Sequence, residues 1–242
     1  MSFRKSKYID FDTGDVTLAP MVLKKRLKRK KVWTLADKIR MFECRVDVWH
    51  LGVGVAVLRE IDAAKNPSIW SHAAYGLVSV VFNYFEMIGK TVNPLSATSQ
   101  TAGDDFNYGF CDVYPEFKPT SGICSALIPT AGRLRKHWPP NPHISDVKEF
   151  RDRIRNGIYH LGYTKNGVWL HNSKTRKKDF EIRKMADRKR PGQKITTYWI
   201  NPHRITATLV DHFSGFVARL RDPANTTLQA KFVDFFDNYH NA

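Results

Sequence analysis

Ser145-Asp146-Val147-Lys148-Glu149-Phe150-Arg151-Asp152-Arg153-Ile154-Arg155-Asn156-Gly157-Ile158-Tyr159-His160-Leu161-Gly162-Tyr163 reads as one capped helix. Ser145 and Asp146 offer short side-chain oxygens to the free N–H groups of a first turn, and Gly162 supplies the stop. Val147, Phe150, Ile154, Ile158 and Leu161 recur at spacings of three and four, which gathers them into one apolar stripe. At about 100° per residue, Arg155 and His160 fall on opposite sides of that stripe, splayed by about 140°, with Asn156 and Tyr159 on the polar arc between them. They stand about 7.5 Å apart along the axis, too far to meet easily on one small substrate group. A second copy packed antiparallel across a two-fold axis sets the Arg of one protomer near the His of the other.

Arg155-Asn156-Gly157-Ile158-Tyr159-His160 resembles the R-x(4–6)-H motif of HEPN domains. In that family the motif lies late in an all-α bundle, a polar residue often follows the Arg, and many members are dimeric, metal-independent ribonucleases. Arg155, Asn156 and His160 match position for position. Some toxin members continue as H-x-Tyr; here Tyr163 comes one residue late, so no role is carried to it. The resemblance implies an endoribonuclease that acts as a homodimer on RNA without a cofactor. In it His160 takes the proton of a 2′-OH, Arg155 stabilises the crowded phosphate oxyanion and Asn156 orients one of them. It leaves open a toxin, a defence effector or a processing enzyme, and with a toxin an inhibitor (antitoxin) protein as a further partner. The competing structural reading is a solvated Arg beside a helix-terminal His that meets the last carbonyls.

Lys and Arg total 39 against 23 Asp and Glu in 242 residues, a net charge of +16, which favours a polyanionic partner, nucleic acid first. Cys44, Cys111 and Cys124 are odd in number and contain no C-x-x-C pair, which indicates neither a disulfide framework nor a zinc site and fits a reducing cytoplasm. The most apolar stretch, 76–89, is interrupted by Asn83 and Glu86 and is too short to span a bilayer, so no membrane partner is expected. No Walker A, G-x-G-x-x-G, G-x-S-x-G or H-E-x-x-H pattern offers a rival active site, and no metal ligands are assigned.

Residues 1–33 lack a sustained apolar period and carry Lys24, Lys25, Arg26, Lys28, Arg29, Lys30 and Lys31, which reads as a basic arm, flexible when free, that contacts phosphates. Thr34 and Asp37 form a capping-box pattern ahead of Leu35, Ile39, Phe42, Val46, Trp49, Val53 and Ala56, a heptad-like stripe on a long first helix. Residues 69–91 are apolar around most of a helix and predict the central one, with Glu86 either at an edge or as a buried acid with a partner. A short helix is expected near Asp104 to Val113 and another over Thr120 to His137.

Beyond Gly162, Gly167–His171, Phe180–Arg183 and Ile195–Ile200 read as short strands of a small antiparallel sheet inserted near residues 166–200. The basic run between them includes Lys177, Lys178, Arg188, Lys189 and Arg190. With Trp169, Tyr198 and Trp199 it suits phosphate contact and base stacking; the alternative is a solvated hairpin whose aromatics cover the bundle. Asn201-Pro202 opens a helix, Asp222-Pro223 repeats the signal, and His203, His212 and His240 read as structural. The expected architecture is mainly α: an HEPN-like helical bundle over residues 34–242 with the β insertion, preceded by the arm 1–33. Two non-enzymatic readings stand beside the nuclease: an HEPN-like module that binds nucleic acid or nucleotide without cutting, and a basic-arm DNA-binding dimer.

Overall fold

The structure, a computed structural model, describes residues 6–28, 32–63, 67–93, 102–115, 151–152, 154, 168–170, 178–186 and 191–240. Its described elements are α1 (Pro20–Leu27), α2 (Leu35–Arg45), α3 (Gly52–Ala63), α4 (Pro67–Val92), α5 (Ala102–Val113), β1 (Val168–Leu170), β2 (Phe180–Ala186), β3 (Lys194–Ile200), α6 (Pro202–Arg221) and α7 (Thr226–His240). The fold is mainly helical with one small mixed sheet. The helix expected over Thr120 to His137 lies outside the described residues.

Thr34 and Asp37 form the capping box that their spacing predicts. The Thr34 side chain accepts from the Asp37 N–H at 3.2 Å, and the Asp37 carboxylate accepts from the Thr34 N–H at 3.1 Å. Halfway along, the helix departs from the expected heptad. Ile39, Phe42 and Val46 are buried, but Trp49 and Val53 are 47% and 44% exposed, and Leu51, Val55, Leu58 and Ile61 take the core side instead. The cause is a π-turn, Val46–Leu51, between α2 and α3. Its i→i+5 bonds take up one residue more than an α-turn, so the stripe steps by five from Val46 to Leu51 and then resumes spacings of four and three.

The flexible arm expected at the N-terminus is corrected for residues 6–28, which pack against the helices. Tyr8, Ile9, Phe11, Leu23 and Leu27 are all buried. Ile9 bridges Val16 across a turn in which the Asp10 carboxylate accepts from the Asp12 and Thr13 N–H groups and Gly14 sits at φ 85°, where a side chain is strained. A Cβ at Gly52, just past the π-turn, would lie 2.6 Å from Ile9 Cδ1, so bare backbone there admits the segment. The Trp33 indole N–H donates to the Leu27 carbonyl at 3.0 Å and closes the end of α1.

α4 is the buried helix that its composition predicts, with Leu77, Val78, Phe82, Phe85 and Ile88 sealed in the core. Glu86 is half-buried, the edge position of the two expected. α5 runs antiparallel to α4 at backbone contact, Gly89 against Asp105 and Gly109 against Phe85. Rings interlock along this seam: Phe82 on Phe106 at 5.3 Å between centroids, Phe85 on Phe110 at 5.2 Å, and Phe110 on Phe180 at 5.7 Å, which ties the bundle to the sheet. A second cluster centres on Phe42, edge-on to Phe213 of α6 at 5.7 Å and to Phe232 of α7 at 5.2 Å. α6 begins as Asn201-Pro202 predicts, the Asn201 side chain accepting from the Arg204 N–H.

β2 and β3 form the expected antiparallel hairpin, from Phe180↔Ile200 to Ala186↔Lys194. β1 pairs with β3 in parallel, Val168↔Tyr198 to Leu170↔Ile200, so the order is β1-β3-β2 and the sheet is mixed, not wholly antiparallel. The chain between β1 and β2, residues 171–179, is longer than a hairpin turn, so these consecutive strands need not be neighbours and β3 lies between them.

Candidate nucleic-acid interface

Strand parity divides the aromatic residues of the sheet into two sets. Val168, Tyr198 and Ile200 are buried on the inner face, where Phe180 meets Phe110 and stands edge-on to Tyr114 at 5.2 Å. Tyr198, expected to stack on bases, is thus core; its register position, one residue from Trp199, fixes that. Trp169 and Trp199 lie directly opposite each other on the outer face, stacked at 5.7 Å with planes 18° apart. The Arg183 guanidinium sits 4.9 Å from the Trp199 ring centre and is held there by Glu181, the residue across from Trp199, which accepts from Arg183 Nε at 2.9 Å. Arg183, Trp199 and Trp169 form one offset stack whose outer end, Trp169, is 51% exposed on β1, which is outermost among the described strands.

Of the basic residues singled out in the sequence, Lys25, Arg26 and Lys28 are exposed and Lys24 is half-buried on α1, a helix docked through Leu23 and Leu27 and not a free arm. Lys178 is exposed just before β2. Arg29, Lys30, Lys31, Lys177, Arg188, Lys189 and Arg190 lie outside the described residues. So do Arg155, Asn156 and His160. Of the helix expected over Ser145 to Leu161, positions 151, 152 and 154 are described and helical. Ile154 is fully buried, whereas Arg151 and Asp152 are half-exposed and ion-paired at 3.0 Å.

A polar cluster that sequence reading passes over joins α4, α5 and α6. The Tyr84 hydroxyl lies 2.8 Å from His212 Nδ1, His212 Nε2 lies 3.1 Å from an Asp112 carboxylate oxygen, and Arg219 donates to both oxygens of Asp112, at 3.2 Å to the farther one. Burial alone raises the Asp112 carboxyl, but hydrogen bonds from His212 and Arg219, with their charge, outweigh it and hold the group well below the usual carboxylate range. Its members lie in three separate helices, so no local spacing announces them. With the His ring engaged at both nitrogens, the cluster works as a strut between helices, which agrees with the structural reading of His212. His203 is a strut of the same kind, buried and 3.3 Å from Asp62.

A carboxyl depressed on folding contributes stability that is fully present above its ordinary value of 3.8 and is lost as the pH falls below that toward its folded-state value. Asp112→Asn is therefore expected to be about 2 kcal/mol less stable at neutral pH, through the lost charged hydrogen bonds. It should also lose less stability than the parent between about pH 5 and pH 2, because it has no carboxyl to protonate. Urea midpoints across that range check both effects.

Glu43 gathers a second set of cations. Lys7 lies 2.9 Å and Arg221 2.6 Å from the same carboxylate oxygen, to which the Tyr8 hydroxyl also donates at 3.1 Å, so the N-terminal segment is tied to α2 and to the end of α6. Among the described residues no group of three His, Cys, Asp or Glu side chains is gathered to hold a metal ion, and no helix is long and apolar enough to cross a membrane. No family model, curated protein or solved structure matches the chain.

Proposed function

We propose that the protein is a metal-independent RNA endonuclease of HEPN type, its bundle HEPN-like and its active unit a homodimer. The observation that supports the reading is the burial of Ile154, the stripe residue immediately before Arg155, beside the half-exposed Arg151 and Asp152, as the periodicity assigned to this stretch expects. The net charge of +16 and the exposed cations of α1 add the affinity for a polyanion that the reaction requires.

His160 removes the proton of an RNA 2′-OH, and that oxygen attacks the adjacent phosphorus. The bond to the 5′ oxygen breaks, the departing oxygen takes up a proton, and Arg155 stabilises the charge that builds on the phosphate oxygens. Asn156 orients His160 or the phosphate by hydrogen bonding. The products are a fragment ending in a 2′,3′-cyclic phosphate and one beginning with a 5′-hydroxyl.

Purified protein is expected to cut single-stranded or loop RNA in excess EDTA and to leave those ends, while DNA, lacking the 2′-OH, survives. Mass spectrometry of the fragments checks this. Intact RNA in the presence of bound protein overturns the enzyme reading and favours a module that binds without cutting.

A further inference from the structure

The outer face of the sheet is built differently from a solvent face. Ordinary exposed strand positions carry polar side chains, and the aromatics that serve the core are already turned inward at Phe180 and Tyr198. Trp169 and Trp199 occupy the outward register positions instead, in parallel planes, with a guanidinium on the far side of Trp199. Glu181 fixes that guanidinium and leaves Arg183 still 40% exposed. The stack is thus held at one end by Arg183, and at the other Trp169, on the outermost of the described strands, is half exposed. Lys178 adds an exposed cation at the same end of the sheet, just before the Phe180↔Ile200 pair, in a chain of net charge +16.

We infer that this face is the docking platform for single-stranded RNA, with an unpaired base continuing the stack on the open face of Trp169 and the backbone phosphates lying toward Arg183 and Lys178. This rests on the RNA-directed reading above and names where the strand is gripped. Flat rings in offset stacks accept any base because every base has a π-face, and cations beside them meet the phosphates; duplex buries its base faces and cannot use the platform. The surface therefore selects for unpaired strand and not for sequence. The exposed Lys178 and the net charge of +16 favour an anionic strand over a protein ligand of mixed charge, while the ion pair with Glu181 fixes the Arg183 guanidinium against Trp199.

The test uses the full-length protein and two probes: a fluorescein-labelled 12-nucleotide uridine RNA carrying 2′-O-methyl groups, which binds without being cut, and an RNA duplex of the same length. Trp169→Ala is expected to weaken single-strand binding about tenfold or more, the scale of losing one base stack, and Trp169→Phe to restore most of it. Arg183→Ala should weaken it in proportion to salt sensitivity. Duplex binding should change little. Single-strand affinity unchanged in Trp169→Ala, or lost equally for strand and duplex, overturns the platform. The uncuttable probe keeps the two readings separate. A protein that binds through Trp169 but leaves ordinary RNA intact retains the platform and loses the nuclease; one that cuts RNA while ignoring Trp169 does the reverse.

Discussion

Gly89→Ala is expected to destabilise the protein by about 3–5 kcal/mol, and Gly89→Val to leave it unfolded at room temperature, because both put atoms where backbone already lies. A Cβ on Gly89 would stand 1.7 Å from the Asp105 carbonyl oxygen, and one on Gly109 would stand 1.8 Å from the Phe85 carbonyl oxygen. The obstacle is helix backbone on both sides, so no side chain can swing aside. α4 and α5 must move apart over their whole shared length. That opens the Phe82, Phe85, Phe106 and Phe110 packing and pulls Asp105, whose carboxyl is pushed up from its ordinary value by burial, away from the Asn93 amide that donates to it at 3.1 Å. Gly76, on the same helix, is the control: a Cβ there meets nothing within 4 Å, so Gly76→Ala should gain about 0.5–1 kcal/mol from helix propensity alone. Thermal melts followed by circular dichroism compare the three. A Gly89→Ala melting point within a few degrees of the parent would mean that the two helices are not in backbone contact.

That contact marks where the sequence is legible and where it is not. Helix starts announce themselves within four residues, and both Thr34 with Asp37 and Asn201-Pro202 do what their local chemistry predicts. The parity of Trp169 and Trp199 against Tyr198 is equally local once the strand is known, because alternation fixes which residue turns outward. The π-turn is not legible: Phe42, Val46, Trp49 and Val53 make a better heptad on paper than Phe42, Val46, Leu51 and Val55, and the choice is made by Ile9 pressing on Gly52 and by Leu51 reaching the core. The same holds for the N-terminal segment, whose buried Tyr8 and Phe11 belong to a turn without period and are held from outside, by Glu43 among others. Likewise Asp112 and His212 are a hundred residues apart and meet only because three helices converge.

The two motif side chains make the sharpest functional expectation. Arg155→Ala and His160→Ala should each remove about two to four decades of cutting rate, the scale of losing a positioned base or a charge stabiliser. Since periodicity sets both off the apolar stripe, each variant should melt near the parent. Mixing the two inactive proteins then reads the geometry of the site. If one protomer supplies Arg155 and its partner His160, a mixed dimer has one site with both groups replaced and one with both intact. With equal amounts exchanging at random, half the dimers are mixed and carry one good site of two, so about a quarter of the parent rate returns. If each protomer supplies both groups to its own site, every site in the mixture lacks one of them and nothing returns. The distinction needs no knowledge of the RNA target, because the parent protein on the same RNA sets the scale. Recovery near a quarter supports a shared cleft. Complete silence with an active parent and confirmed exchange places both groups in one chain, and full activity in either single variant removes that residue from the reaction.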